Sequence, residues 1–411
     1  MTQRYDTYKD SGVQWLGEIP GHGGCVFINR LFNIKAGGDV KPELYADKKD
    51  ENHPFPVYTN TKSADDVYAY TSLATCPSNS ITVTGRGEVG HAIFRETPYD
   101  AIVRLLSLTP KSNIICKFYA YFIDTVIPFS SDSAAIGQLS AVQIKQKHVT
   151  LPPLSEQRSI VSFLDAKCGK IDEWVTKKQK EVEHLQEFKQ RVIADAVTRG
   201  LNPHVKMKAT NIPWLKEIPE HWECIKLKKF CQDNKEKNKG NIESCVLSLS
   251  YGNIIVKKNV NFGLVPENYD SYQIVNPGNI ILRLTDLQND HKSLRTGLVK
   301  NRGIITSAYV GLIVKNMNSE YTQLILHSYD VMKVFYGMGG GLRQSMSYTD
   351  IANVYIPVPP LSEQKQIVSY LDTKTSQIDK LIAHITKEIE CIKEYKQRLI
   401  SDVVTGQIKV C

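Results

Sequence analysis

A long segment of this 411-residue chain occurs twice, and that constrains its fold more than any other feature. PPLSEQRSIVSFLDAKCGKID from Pro152 returns as PPLSEQKQIVSYLDTKTSQID from Pro359, and the match continues through EFKQRVIADAVT (Glu187–Thr198) and EYKQRLISDVVT (Glu394–Thr405) at a constant offset of 207 residues. Of 47 aligned positions 25 are identical, which marks an internal duplication. A shorter repeat precedes each copy: WLGEIPGH from Trp15 and WLKEIPEH from Trp214. Between the halves, RGLNPHVKMKATNIP leads straight into Trp214. At the chain ends the same connection is divided, TGQIKVC closing one end and YKDSGVQ opening the other. An opened ring of this kind should bring its termini together and implies a pseudo-twofold arrangement.

The repeated segment reads as helix. Ser155 and Ser362 follow Pro-Pro-Leu and precede Glu-Gln, so each is expected as an N-cap with an acid in the first turn. Ile378, Ile385, Ile392 and Leu399 recur every seven residues, with Ile382, Ile389 and Val403 on the partner row. The first copy carries Ile171, Leu185 and Val192, with Val175, Val182 and Ala196 beside them, interrupted by Lys178 and Lys189. Two apolar seams of equal length are expected to pack on each other as an antiparallel coiled coil. From Ile171 to Thr198 such a helix spans about 40 Å at about 1.5 Å per residue.

The regions before and between these helices are different. Short β-like runs (SITVT from Ser80, CVLSLS from Cys245, GNIILRL from Gly278, YVGLIV from Tyr309) alternate with Gly, Pro, Asn and Asp clusters, and a helix is expected around Tyr321–Phe335. The expected fold class is therefore α+β, two mixed α/β domains separated by two long helices, with boundaries at 1–150, 151–205, 206–358 and 359–411. A charged fraction of 23% with 42% apolar residues suits a globular chain. No long apolar run and no signal-peptide pattern is seen, so no membrane span and a cytoplasmic location are expected. The nine cysteines include no Cys-x-x-Cys pair and read as reduced thiols.

Motifs of catalysis are missing. Gly85-Arg-Gly87-Glu-Val-Gly90 matches a dinucleotide fingerprint, but HAIFRETP after it reads as strand, which makes the glycines a turn exposing Arg86. There is no P-loop. The Glu187-x-Lys189 and Glu394-x-Lys396 pairs lie in the helices and read as solvated faces. The histidines form no metal-ligand spacing, so neither an enzyme nor a metal site is expected.

The duplicated PPLSEQ, LDAKCGKID/LDTKTSQID, EFKQR/EYKQR and WLGEIP/WLKEIPEHW motifs resemble those of the DNA-specificity subunit of type I restriction-modification systems. His22-Gly23 departs from the pattern where the second copy has His221-Trp222, so the aromatic anchor is missing from the first copy. The resemblance implies two target-recognition domains reading a bipartite site on double-stranded DNA, and a helical spacer carrying two methyltransferase subunits and restriction subunits. It further implies that S-adenosylmethionine, ATP and Mg²⁺ serve those partners, with no cofactor on this chain. A spacer of the order of one DNA turn, about 34 Å, suits a ruler between half-sites. A coiled-coil adaptor for protein partners, without DNA readout, is the alternative.

Arg pairs bidentately with guanine edges, and Gln or Asn with adenine. On that chemistry the candidate readers are Arg86, Arg104, Gln138 and Ser140 in the first region, and Arg283, Arg343 and Gln344 in the second. Lys226, Lys228, Lys229, Lys257, Lys258 and Lys292 are candidates for phosphate. The net charge of +8 is unevenly placed: residues 206–350 hold 19 basic against 13 acidic groups, whereas residues 1–150 hold 15 of each.

Overall fold

The computed structural model describes residues 3–129, 138–257, 268–290, 294–338 and 345–410. The chain forms two compact units, Met1–Gln179 with Thr386–Cys411, and Lys180–Ile385. Each holds one divergent region together with half of both long helices, the central helix Leu154–Arg199 and the C-terminal helix Leu361–Val404.

In the first unit a four-stranded antiparallel sheet runs in the order Phe32–Ala36, Leu106–Pro110, Ser80–Val83, Ala92–Arg95. Ser80–Val83 is buried along its whole length, because the helix Cys116–Thr125 packs on this edge of the sheet and sets Phe118 and Phe122 into the core. The same core takes Ile160, Leu164 and Cys168 from the central helix and Leu399, Ile400 and Val403 from the C-terminal helix. A second four-stranded sheet, Asp100–Ala101, Phe55–Tyr58, Ala69–Thr71, Tyr45–Ala46, completes the unit's main sheets.

The second unit repeats the plan. Its main sheet has the order Cys231–Asp233, Val310–Val314, Ile280–Leu282, Thr296–Leu298, with the helix Ser319–Val331 against it, capped by the Asn318 side chain. Ile193, Ala196 and Val197 from one long helix and Ile367, Val368 and Leu371 from the other join its core. The helix expected around Tyr321–Phe335 is this one, followed by a 3-10 turn at Val334–Gly337.

Within each unit the two helix halves pack antiparallel: residues near 160 lie with those near 400 in the first, and residues near 195 with those near 370 in the second. Lys396 pairs with Asp172 at 2.6 Å and Lys189 with Asp379 at 2.7 Å. These are the same two positions of the repeat, as a pseudo-twofold helix pair requires. Lys189, which interrupts the apolar seam in sequence, is thus the seam's ionic tie. Val175, Ile378, Ile385 and Leu399 are buried, and Ile171, Val182, Leu185, Val192 and Ile392 half-buried.

The serine caps expected at 155 and 362 are corrected by the structure. Both helices start one residue earlier, at Leu154 and Leu361, so each serine lies inside the first turn. The residues after it do the anchoring. Gln157 donates to Pro152 O at 2.9 Å and accepts from Ile115 N at 3.0 Å, at the start of the helix Cys116–Thr125. Gln364 does the same with Pro359 O and Asn318 N, both at 2.9 Å. A buried carboxamide with both ends bonded satisfies groups that would otherwise be lost to the core.

The preceding glutamates tie the WLxEIP hairpins to the helices. Glu363 accepts from Trp222 Nε1 at 3.0 Å and lies 2.9 Å from His221 Nε2. In the first unit Glu156 lies 2.8 Å from His22 Nε2, and its other oxygen accepts from the Tyr5 hydroxyl. Tyr5 therefore takes the indole's place: Gly200 abuts Trp222, and the corresponding Gly406 abuts Tyr5. The anchor absent at Gly23 is supplied from a different position of the chain.

The termini meet as the divided connection requires. Gln3 and Lys409 form an antiparallel bridge, Tyr8 Oη donates to Gly406 O at 2.8 Å, and Gln407 Nε2 donates to Glu18 O at 2.8 Å. Tyr8–Asp10 pairs with Glu18–Pro20 as Met207–Ile212 pairs with Leu215–Pro219 in the second unit.

One histidine of the second unit is buried against the helices. His327 Nε2 lies 2.9 Å from Gln190 Oε1, and burial, helped by the Lys189 charge, pulls its pKa down to about 4. The folded state thus binds fewer protons than the unfolded chain, so this contribution to stability is present above pH about 6.5 and is lost as pH falls toward 4. In urea titrations between pH 7 and pH 4, His327→Gln is expected to flatten the pH dependence of the second unit; an identical slope in both proteins would contradict the assignment.

Candidate nucleic-acid interface

In the first unit the strand Ser80–Val83 leaves the sheet into residues 84–91. Thr84 closes this loop: its N donates to His91 O and its O accepts from Gly90 N, both at 2.9 Å. Gly87 and Gly90 hold φ of 70° and 94°, where L side chains are strained. The glycine motif is thus a turn joining two antiparallel strands.

Arg86 stands exposed on that turn, and its mount is built from three other parts of the chain. Asn60 Oδ1 accepts from Gly85 N at 2.7 Å and from Arg86 N at 3.2 Å, while Asn60 Nδ2 donates to Val103 O at 2.7 Å. Val103 and Arg104 have φ of 53° and 60° and form a tight turn closed by Leu105 N to Ile102 O at 3.1 Å. A β-branched residue in the left-handed region is strained, and the Asn60 bond helps hold it there. Gly85 admits no side chain, since a Cβ would lie 2.7 Å from Arg104 O and 3.1 Å from Leu139 O. Leu139 N donates to Gly85 O at 2.9 Å, which draws residues 138–140 alongside. With its amide oxygen facing the guanidinium, Gln138 accepts from Nε and Nη2 of Arg86, each at 3.1 Å. Ser140 caps the short helix Ala141–Lys145 through a capping box with Gln143. Arg86, Arg104, Gln138 and Ser140, separated by up to 54 positions in sequence, thus share one surface.

The second unit presents the corresponding loop, Arg283–Asp290, after the strand Ile280–Leu282. Met346 N donates to Leu284 O at 2.8 Å, the counterpart of the Leu139–Gly85 bond, and Ser347 makes the counterpart capping box with Asp350. Arg283 is the first residue beyond the strand, with Nη2 at 3.7 Å from Asp290 Oδ2. The loop is held from behind by Arg295, whose side chain is fully buried. Nη1 donates to the carbonyls of Arg283 (3.1 Å) and Thr285 (2.8 Å), Nη2 to those of Asp286 and Asp290, and Nε to Tyr336 Oη at 3.1 Å. All five guanidinium N–H groups are accounted for. Asp330 accepts from Arg295 N at 2.7 Å, and burial raises its carboxyl pKa.

Lys257 lies exposed after the strand Asn253–Val256, Lys228 and Lys229 are exposed on a 3-10 turn, and Lys226 lies over the Tyr355 ring. Lys258, Lys292, Arg343 and Gln344 lie outside the described residues. Sequence reading missed Asn60 and Arg295: neither type is distinctive in a strand-rich region, and their roles exist only once distant backbone groups converge. Among the described residues no three His, Cys, Asp or Glu groups gather as metal ligands, the cysteines are free thiols, and no helix is long and apolar enough to cross a membrane.

Comparison with known proteins gives the family and the fold. A family model described as the type I restriction modification DNA specificity domain matches residues 26–184 and 219–391, once in each half. The chain is 26% identical over 326 residues to a putative type I restriction enzyme MjaX specificity subunit of Methanocaldococcus jannaschii, covering 75% of this chain and 72% of that one. The MjaVIII specificity subunit of the same organism is 25% identical over 327 residues, 74% and 73% of the two chains. In fold it is similar to a chain solved in work on complex assembly and conformational transition of the type I R-M system, with a TM-score of 0.66 at 13% identity over 94% of this chain and 98% of that one. With both halves matched by the family model, the chain belongs to the type I restriction-modification DNA specificity family.

Proposed function

We propose that this chain gives a type I restriction-modification complex its DNA sequence, each unit reading one half of a bipartite site on double-stranded DNA. The observation that carries this reading is the pair of corresponding loops, 84–91 and 283–290, each mounted at the same strand of the same sheet and each carrying arginine. Two readers on a duplicated frame suit a split target, and the paired helices suit a spacer of defined length. The second unit supplies most of the attraction to phosphate through its basic excess; the first, electrically neutral over residues 1–150, relies on local placement of Arg86 and Arg104. The chain is non-catalytic in this scheme. Two methyltransferase subunits dock on it and use S-adenosylmethionine, and restriction subunits use ATP and Mg²⁺.

Methylome sequencing of the host with and without the gene tests the reading: one split methylation motif should vanish with the gene. Exchanging residues 206–358 for those of a relative that keeps a tryptophan at the position of Trp222, so that the tie to Glu363 survives alongside the backbone bond from position 318 to Gln364, should rewrite one half of the motif alone. An unchanged methylome in both experiments would leave the adaptor alternative standing.

A further inference from the structure

We propose that Arg86 reads a guanine in the half-site of the first unit, and that Gln138 is the residue that positions it and not a base reader itself. This rests on the reading of the first unit as a half-site reader and goes one step further, to the base. A guanidinium has five coplanar N–H groups, and Gln138 accepts from Nε and Nη2, the pair along one side of the fork. The end of the fork, with one N–H each on Nη1 and Nη2, meets no acceptor among the described residues. That pair matches the O6 and N7 acceptors of guanine in the major groove. Adenine offers N7 but sets an amino donor beside it, cytosine offers a donor, and thymine offers a single acceptor with a methyl group. The same bond removes Gln138 from contention: its oxygen is engaged with Arg86, so it cannot accept from an adenine amino group while its own amide donates to N7.

The surroundings hold Arg86 at its backbone and along one side of its head group. Asn60 holds the Arg86 and Gly85 amides, Gln138 holds the head group, and the turn at Val103–Arg104 closes against Gly85. Glu88, the carboxylate on the same loop, is paired with Lys62. An arginine held this way loses less freedom on meeting a base than one on a free side chain.

The test uses the full chain with its methyltransferase subunits, and reads both the methylated motif and binding to duplexes of that motif. The first half-motif should contain a guanine. Arg86→Ala should make that position degenerate and weaken binding to the cognate duplex about 5- to 150-fold, with the other half-motif unchanged. Gln138→Ala should loosen the same position and no other, and Gln138→Glu, which can still accept from Nε and Nη2, should restore it. Replacing that guanine by 7-deazaguanine removes the N7 acceptor without any change to the protein, and should weaken binding by the wild type but not further weaken Arg86→Ala. A split motif that is indifferent to Arg86→Ala, or wild-type binding insensitive to 7-deazaguanine at every guanine of the first half-site, overturns the assignment while leaving the bipartite reading intact. The absence of any split motif overturns both.

Discussion

Arg295→Met is expected to destabilise the second unit by about 3–5 kcal/mol, the range for removing one member of a buried ionic network. The side chain is fully buried and its five N–H groups meet four backbone carbonyls and a tyrosine hydroxyl. Methionine fills much of the volume and satisfies none of these acceptors. Asp330 would suffer as well: methionine keeps the backbone N–H that Asp330 accepts from, but it removes the guanidinium charge that works against the burial raising the carboxyl pKa, and Oδ1 has no hydrogen-bond partner among the described residues. Arg295→Lys should recover only part of the loss, because an ammonium has three donors at one point and cannot span acceptors set around a planar fork. Urea unfolding followed by tryptophan fluorescence and by far-UV circular dichroism gives the measurement. A loss below about 1 kcal/mol for Arg295→Met would show that water satisfies the loop carbonyls and that the guanidinium is not what holds the loop.

Trp222→Ala is expected to cost a similar amount, about 3–5 kcal/mol, again in the second unit. The indole is fully buried, and its removal opens a void and strips Glu363 of a donor. The corresponding change in the first unit, Tyr5→Phe, keeps the ring and loses one hydrogen bond to a carboxylate, worth about 1.5 kcal/mol. Calorimetry should show Trp222→Ala lowering the transition of the second unit and Tyr5→Phe the transition of the first, each leaving the other in place. Tyr5→Phe proving neutral would mean that the phenol is not the functional equivalent of the indole.

The contrast between these two residues shows what was legible in sequence. The duplication, the helical seams, the strands around Ser80, Gly278 and Tyr309 and the nature of the glycine turn all follow from local pattern, because repeat spacing, alternation and glycine clusters are local properties. The missing aromatic at Gly23 was visible too, but its replacement was not. Tyr5 reaches Glu156 only after the chain ends have met, and nothing near Gly23 announces it. The helix starts were misplaced by one residue for a related reason. Serine before an acid is a common cap, but here the groups to be satisfied belong to Ile115 and Asn318, and glutamine has the reach to bridge to them. Arg86, Arg104 and Gln138 were selected one by one from their chemistry; their convergence depends on Asn60, bonded to residues 85, 86 and 103, and on the Leu139–Gly85 backbone bond that brings in Gln138.

The two units also differ in when they can be completed during synthesis. The second is a continuous stretch, Lys180–Ile385, whereas the first needs Thr386–Cys411 to bury Ile160, Leu164 and Cys168. Domains made at the front of a chain ordinarily finish folding first. Here the order is reversed: the first unit, begun earlier in synthesis, must wait, with part of its apolar helix uncovered, until Thr386–Cys411 has been made. A premature stop near the C-terminus would therefore damage the N-terminal recognition domain and spare the one beside it in the message.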